Sequence, residues 1–116
     1  MALTKAILKE IGLLSDSMTT LYTNPSSTKT YVTQIYLHNI HTSAVVVTIH
    51  KVPDNGGSAG TAGDANKVWN VSLSSGETVL LEYEKLGLHM FDQGDTIQAV
   101  ADIASKVTCE ICGFTE

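Results

Sequence analysis

From Met18 onward the chain alternates apolar and polar residues in short runs, separated by clusters of Gly, Asn, Asp and Ser. That is the pattern of half-buried strands joined by turns. The runs are Thr19–Thr23, Tyr31–Asn39, Ala44–Val52, Lys67–Leu73, Glu77–Tyr83, Thr96–Ala101 and Val107–Thr115. Residues recurring at period two within them form the expected core: Ile35 and Leu37; Val45, Val47 and Ile49; Ile97, Ala99 and Ala101; Val107, Cys109 and Ile111. In the second run, strict alternation puts Tyr31, Thr33, Ile35 and Leu37 on one face and Val32, Gln34, Tyr36 and His38 on the other. Thr48 and His50 are expected to face outward or toward a neighbouring subunit. The pattern predicts an all-β fold, an antiparallel β-sandwich that is jelly-roll-like, with about eight short strands.

Three segments fall outside this rhythm. Leu3, Ile7, Ile11 and Leu14 recur at helical spacing until Gly12 and Ser15-Asp16-Ser17 break it. Residues 1–17 are therefore expected as a short helix or N-terminal arm beside a single sandwich domain over 18–116. The alternation of Ile7, Ile11 and Leu13 leaves an extended segment as the competing reading. An arm with an apolar face suits docking onto a partner subunit, or packing back onto its own domain, which makes Leu3, Ile7, Ile11 and Leu14 candidate partner contacts. Pro53 to Asn66 carries no periodicity and reads as a long, flexible surface loop, with Asp54 and Asn55 as further candidate contacts. Glu84 to Asp92 reads as an irregular crossover between strands.

Composition narrows the partners. The chain has 116 residues, enough for one core, with twelve acidic residues against seven basic ones. All the basic residues are lysines, so the side chain best suited to bidentate phosphate recognition is missing and nucleic acid is not an expected partner. No run approaches the roughly 20 apolar residues of a membrane-spanning helix. Lys5, Lys9 and Glu10 interrupt any signal-peptide core. The expectation is a soluble protein made in the cytoplasm.

No catalytic pattern stands out. Cys109-Glu110-Ile111-Cys112 is formally a CxxC, but it lies within a strand pattern, where positions i and i+3 point to opposite faces and a disulfide between them is geometrically poor. Cys109 reads as a small core hydrophobe. His38, His41, His50 and His89 show no metal-ligand spacing, and no second cysteine pair exists, so no metal or other cofactor is expected. The serines cluster at turns and none sits in a Gly-x-Ser-x-Gly elbow. Glu77, Glu82 and Glu84 are near in sequence but read as a solvated strand edge rather than a glycosidase pair. The loop Asp54-Asn55-Gly56-Gly57-Ser58-Ala59-Gly60 lacks both the Gly-Lys-Ser/Thr ending of a P-loop and the terminal Glu of a calcium loop. Trp69, Tyr83 and Tyr36 are the candidates for a sugar-stacking platform, with core packing as the plainer reading.

Tyr22-Thr23-Asn24-Pro25, followed by Thr30-Tyr31-Val32-Thr33-Gln34-Ile35-Tyr36-Leu37-His38-Asn39, resembles the opening of small tailed-bacteriophage virion proteins, where a YT-x-P turn precedes an extended strand ending in L-x-N. Ser43-Ala44-Val45-Val46-Val47-Thr48 with Val52-Pro53 is similar to that family's second strand pair. Leu73-Ser74-Ser75-Gly76-Glu77-Thr78 and Gly94-Asp95-Thr96-Ile97-Gln98-Ala99 resemble its two later turn motifs. The likeness spans Tyr22 to Ala101; the crossover Lys85–Phe91 and the cysteine-bearing last strand depart from it. The resemblance implies a non-enzymatic structural protein of the virion, either a capsid decoration (cement) protein that stabilises the head or a tail, neck or fibre-associated module. Its implied partners are the major capsid protein or other virion proteins. Covering the edge strands of a sandwich favours a homo-oligomer, with a trimer at a local three-fold axis as the expected form.

Overall fold

The computed structural model describes residues 3–83 and 88–116. Its strands are β1 (Thr4–Leu13), β2 (Thr19–Thr23), β3 (Thr30–Asn39), β4 (Val45–Val52), β5 (Lys67–Leu73), β6 (Thr78–Glu82), β7 (Leu88–Met90), β8 (Thr96–Ala101) and β9 (Val107–Thr115), with a 3-10 turn at Asp64–Asn66. One sheet has the order β1-β9-β3-β6, with β7 also on β3; the facing sheet has the order β2-β8-β4-β5. Every pairing is antiparallel. The pairs β1·β9, β2·β8, β3·β6 and β4·β5 nest like a long hairpin ribbon rolled into two layers, which is the strand order of a jelly roll.

The core lies between the layers. Ile35, Leu37, Val45, Val47, Ile49, Leu73, Ile97, Ala99, Ala101, Val107, Cys109 and Ile111 are all buried, and Met90 and Leu88 join them from β7. β7 occupies part of the segment expected as irregular crossover: Leu88 and Met90 face inward and His89 faces out, so three residues suffice to pair with Thr30–Val32 at the start of β3. Glu84 and the rest of residues 84–87 lie outside the described residues.

In the first sheet, the reading of the N-terminal segment and of β3 changes for clear physical reasons. The N-terminal segment takes the extended form, not a helix. β1 pairs with β9 along its length, Leu8 packs against the core and Leu14 is buried within it, so these residues complete the first sheet rather than standing apart from it. Helical spacing and bulged-strand spacing are hard to separate here, because register shifts between Ile7 and Lys9 and between Lys9 and Gly12 disturb the period of two. The second change is in β3. Val32 opposes Gly113 and Gln34 opposes Cys112, so Thr33 is the extra residue of a bulge. Val32 therefore points inward with Ile35 and Leu37, while Tyr31 shares the outer face with its partners Phe114 and His89. Gly113 makes this crossing possible, since a Cβ there would collide with the Tyr31 carbonyl oxygen and press on the Leu8 side chain.

The long loop after β4 lies on the surface, as expected, but folds back across its own sheet. His50, expected to face outward, is on the outer face of its sheet but buried, because the loop folds back across it. His50 Nδ1 lies 2.8 Å from Asn66 Oδ1, and Gln98 Nε2 donates to the Gly60 carbonyl at 3.2 Å. A run of small residues can lie this close to a sheet; Gly60 has no room for a side chain between Pro53 and Val52.

Candidate functional site

The residues singled out from sequence fall into two regions. The first is the outward side of β1. Ile7 and Ile11 are each 58% exposed, and Leu3 and Leu13 are also exposed, so four apolar side chains form a stripe along one sheet edge. Leu14, counted with them on helical spacing, is a correction: it is only 3% exposed and turned into the core, its backbone N–H donating to Val107 O and its carbonyl accepting from Ser105 N. Beside the stripe, Lys5, Ile7, Thr33, Cys112 and Phe114 line an open recess of about 380 Å³.

The edge itself is guarded. β1 carries two register shifts, and the half-buried Lys9 folds its ammonium back onto its own strand, donating to Glu10 O at 2.7 Å. Its charge is felt by the buried Cys109 thiol. Bulges and a lysine turned toward the sheet are devices that discourage strand-to-strand addition. A partner would therefore meet the outward side chains of β1 rather than extend the sheet.

The CxxC divides as strand geometry requires: Cys109 is buried, Cys112 lies on the outer face, and both are free thiols. Burial pushes the Cys109 thiol up to about 12. Cys112 is also raised, by desolvation first and then by the charge and hydrogen bond of Glu110. Neither has the depressed pKa of a thiol nucleophile.

The second region is the end of the sandwich where the loops after β2, β4 and β7 meet. Asn24 is buried and ties the loop after β2 to the loop after β7. Its Nδ2 donates to Thr28 O at 2.8 Å and Asp92 O at 3.1 Å, and its Oδ1 accepts from Thr30 Oγ1 at 2.6 Å. Asp95 ties the loop after β4 to the loop after β7, accepting from Asp54 N at 2.8 Å and Asp92 N at 3.2 Å. Asp54 in turn accepts from Gly57 N at 2.9 Å. Gly94 makes the approach possible with φ of 92° and no space for a side chain against Gly57. Asp54 is thus engaged in holding its own loop, while Asn55 is exposed at the tip.

This arrangement brings the carboxylates of Asp54, Asp92 and Asp95 within 4.8 Å of one another. Three hard oxygen donors of this kind could hold a divalent cation such as calcium. Sequence spacing gave no sign of the group, because its members come from two loops far apart in the chain. Their visible work is structural, since Asp54 and Asp95 each accept from backbone N–H groups.

The other candidates are dispersed. His38 Nδ1 contacts Thr78 Oγ1 at 2.7 Å, His50 contacts Asn66 and His89 stacks on Phe91, so the histidines occupy separate places. Glu77 accepts from Ser74 N at 2.8 Å to close a turn. Among the described residues no serine hydroxyl hydrogen-bonds a histidine ring. Trp69 and Tyr83 pack against the core, and Tyr36 lies on the outer face of the other sheet from Trp69, so these three do not form one platform. A different aromatic cluster joins buried Tyr31 and half-buried His89 to Phe91, and of the three only the Phe91 ring is exposed.

No family model and no curated protein matches the chain. Among solved structures, a chain from the Bacillus endospore appendages, described as a novel family of disulfide-linked pili, aligns over 97% of this chain and 86% of its own length, with a TM-score of 0.48 and 13% identity.

Proposed function

We propose that this chain is a non-enzymatic structural protein of a tailed-phage virion, acting as a capsid decoration protein that stabilises the head. The observation that carries the reading is the set of exposed apolar side chains Leu3, Ile7, Ile11 and Leu13 along the edge strand of a jelly roll. Scattered surface hydrophobes are ordinary, but four exposed apolar side chains on one edge strand, with Lys5 set between Leu3 and Ile7, concentrate apolar surface there in the way a contact surface does. The resemblance to virion proteins supports the same role. Its turn motifs lie where the fold is tied: Asn24 between loops, Glu77 closing the turn before β6, and Asp95 joining two loops. The partner in this reading is the major capsid protein or another virion protein, with a homotrimer as the assembling unit and the virion as its location.

The test is co-sedimentation with capsid shells that lack the chain. Wild type pellets with the shells, and the double variant Ile7→Asp, Ile11→Asp stays in the supernatant while keeping its strand-rich circular dichroism. Equal pelleting of both proteins rejects β1 as the contact. The tail, neck or fibre role is the second reading, favoured by the Phe91 ring, 46% exposed and stacked on His89 at the start of the loop after β7.

A further inference from the structure

Phe91 is 46% exposed, yet its ring is held in place. His89 stacks against it with ring centroids 4.5 Å apart and planes inclined by 24°. Tyr31 meets it edge-on at 5.6 Å and 73°. A ring that is oriented by two neighbours and still open to solvent contributes little to the core. Next to it lies an open recess of about 430 Å³, lined by Phe91, Ser27, Thr28, Lys29 and Glu116.

The polar groups around this recess have capacity to spare. Lys29 Nζ stands 5.8 Å from the Phe91 centroid and 3.9 Å from Glu116 Oε1, both at the outer limit of useful contact. The Lys29 side chain is 56% exposed, free to move to the rim. Among the described residues neither the Lys29 ammonium nor the Ser27 hydroxyl makes a hydrogen bond. The backbones beneath are fixed, because Lys29 and Glu116 exchange N–H···O bonds of 3.1 and 2.8 Å. A rigid base thus carries one apolar ring face, one cationic donor, one anionic acceptor and hydroxyls.

We propose that this recess binds an uncharged pyranose, as a terminal sugar of a glycan. The C–H face of such a ring packs on an aromatic face, and its adjacent hydroxyls can accept from Lys29 and donate to Glu116. The opposite charges of Lys29 and Glu116 offset each other, which disfavours an anionic or cationic ligand. The volume suits one sugar ring with water. The site uses none of the outward β1 residues assigned to the shell contact, so either can fail alone.

The experiment is a titration of the full ¹⁵N-labelled chain with the methyl glycosides of glucose, galactose, mannose and N-acetylglucosamine, followed by amide chemical shifts. At least one sugar produces saturable shifts confined to Ser27–Lys29, His89–Phe91 and Glu116, with a Kd on the order of 1–10 mM, as expected for one ring in an open cleft. Phe91→Ala weakens binding at least about ten-fold, and Lys29→Met weakens it several-fold, while the remaining amide resonances stay in place. No shift from any of the four sugars at about 50 mM overturns the proposal. So do shifts that persist unchanged in Phe91→Ala. Protection of these amides on intact virions without any response to sugar assigns the patch to a protein contact and equally overturns it.

Discussion

Asn39 closes β3 as a fully buried amide, and replacing it tests how the two layers are joined. Its Nδ2 donates to Ser43 O at 3.0 Å and Leu73 O at 2.9 Å, with Ser74 O also near at 3.1 Å. Its Oδ1 accepts from His41 N at 2.8 Å. One side chain thus ties the β3–β4 turn to the end of β5, across from one sheet to the other. Asn39→Ala removes these bonds and leaves a backbone N–H and at least two carbonyls without that partner. At ~1 kcal/mol for each lost bond and ~1–3 kcal/mol for a group left dry, partly relieved by entering water, the cost comes to about 3–5 kcal/mol. A domain of this size has a total stability of about 6–17 kcal/mol, so the variant folds but is severely weakened. In urea, with a slope of about 2 kcal/mol per molar, the unfolding midpoint drops by about 2 M at unchanged slope. Asn70→Ala is the control. Asn70 makes one exposed bond to Thr48 Oγ1, and its loss shifts stability by about 0.5 kcal/mol or less. A midpoint shift for Asn39→Ala no larger than that of Asn70→Ala would refute the role of Asn39 as a cross-sheet tie.

Three other outcomes follow from the same geometry. Gly113→Ala forces a methyl group into the Tyr31 carbonyl and the Leu8 side chain, so it destabilises by ~3 kcal/mol or more in the same urea assay; a neutral result contradicts the close β3–β9 crossing. Burial raises the Cys109 thiol from 9.0 to about 12, so the folded state keeps a proton that the unfolded chain releases. That stabilisation is complete below pH about 9 and is lost as pH rises toward about 12; Cys109→Ala flattens this alkaline decline, and an unchanged decline rejects the assignment. Removing residues 3–13 strips β9 of its neighbour and takes Leu8 from the core, so the truncated chain loses cooperative unfolding; a truncated chain as stable as the full one shows that β1 is a detachable arm.

The strands and the core were legible because a sandwich face imposes period two on residues such as Val45, Val47 and Ile49, and the structure buries all three. The pattern misled where backbone geometry broke that period. At Thr33 one extra residue reverses the phase, exchanging the faces of Tyr31 and Val32, and two shifts in β1 make a strand mimic helical spacing around Leu14. A bulge leaves little trace in composition; the nearest signal is Gly113 on the facing strand. The loop end was illegible for another reason. Asn24, Asp54, Asp92 and Asp95 are brought together by folding, and no local spacing joins them. His89 and Phe91 fall in a segment whose pattern suggests an irregular crossover, with no local sign that β7 sets His89, and Phe91 just after it, beside Tyr31.

As proposed, this chain is part of a virion and recurs across its head. The most direct test is quantitative mass spectrometry of purified virions, measuring copies of this chain relative to the major capsid protein. A decoration protein gives a ratio of about one, or about one third if a single chain serves each group of three capsid subunits. A ratio tens of times lower would transfer the protein to the tail or neck and contradict the decoration role, and its absence from the particle would contradict the virion reading entirely.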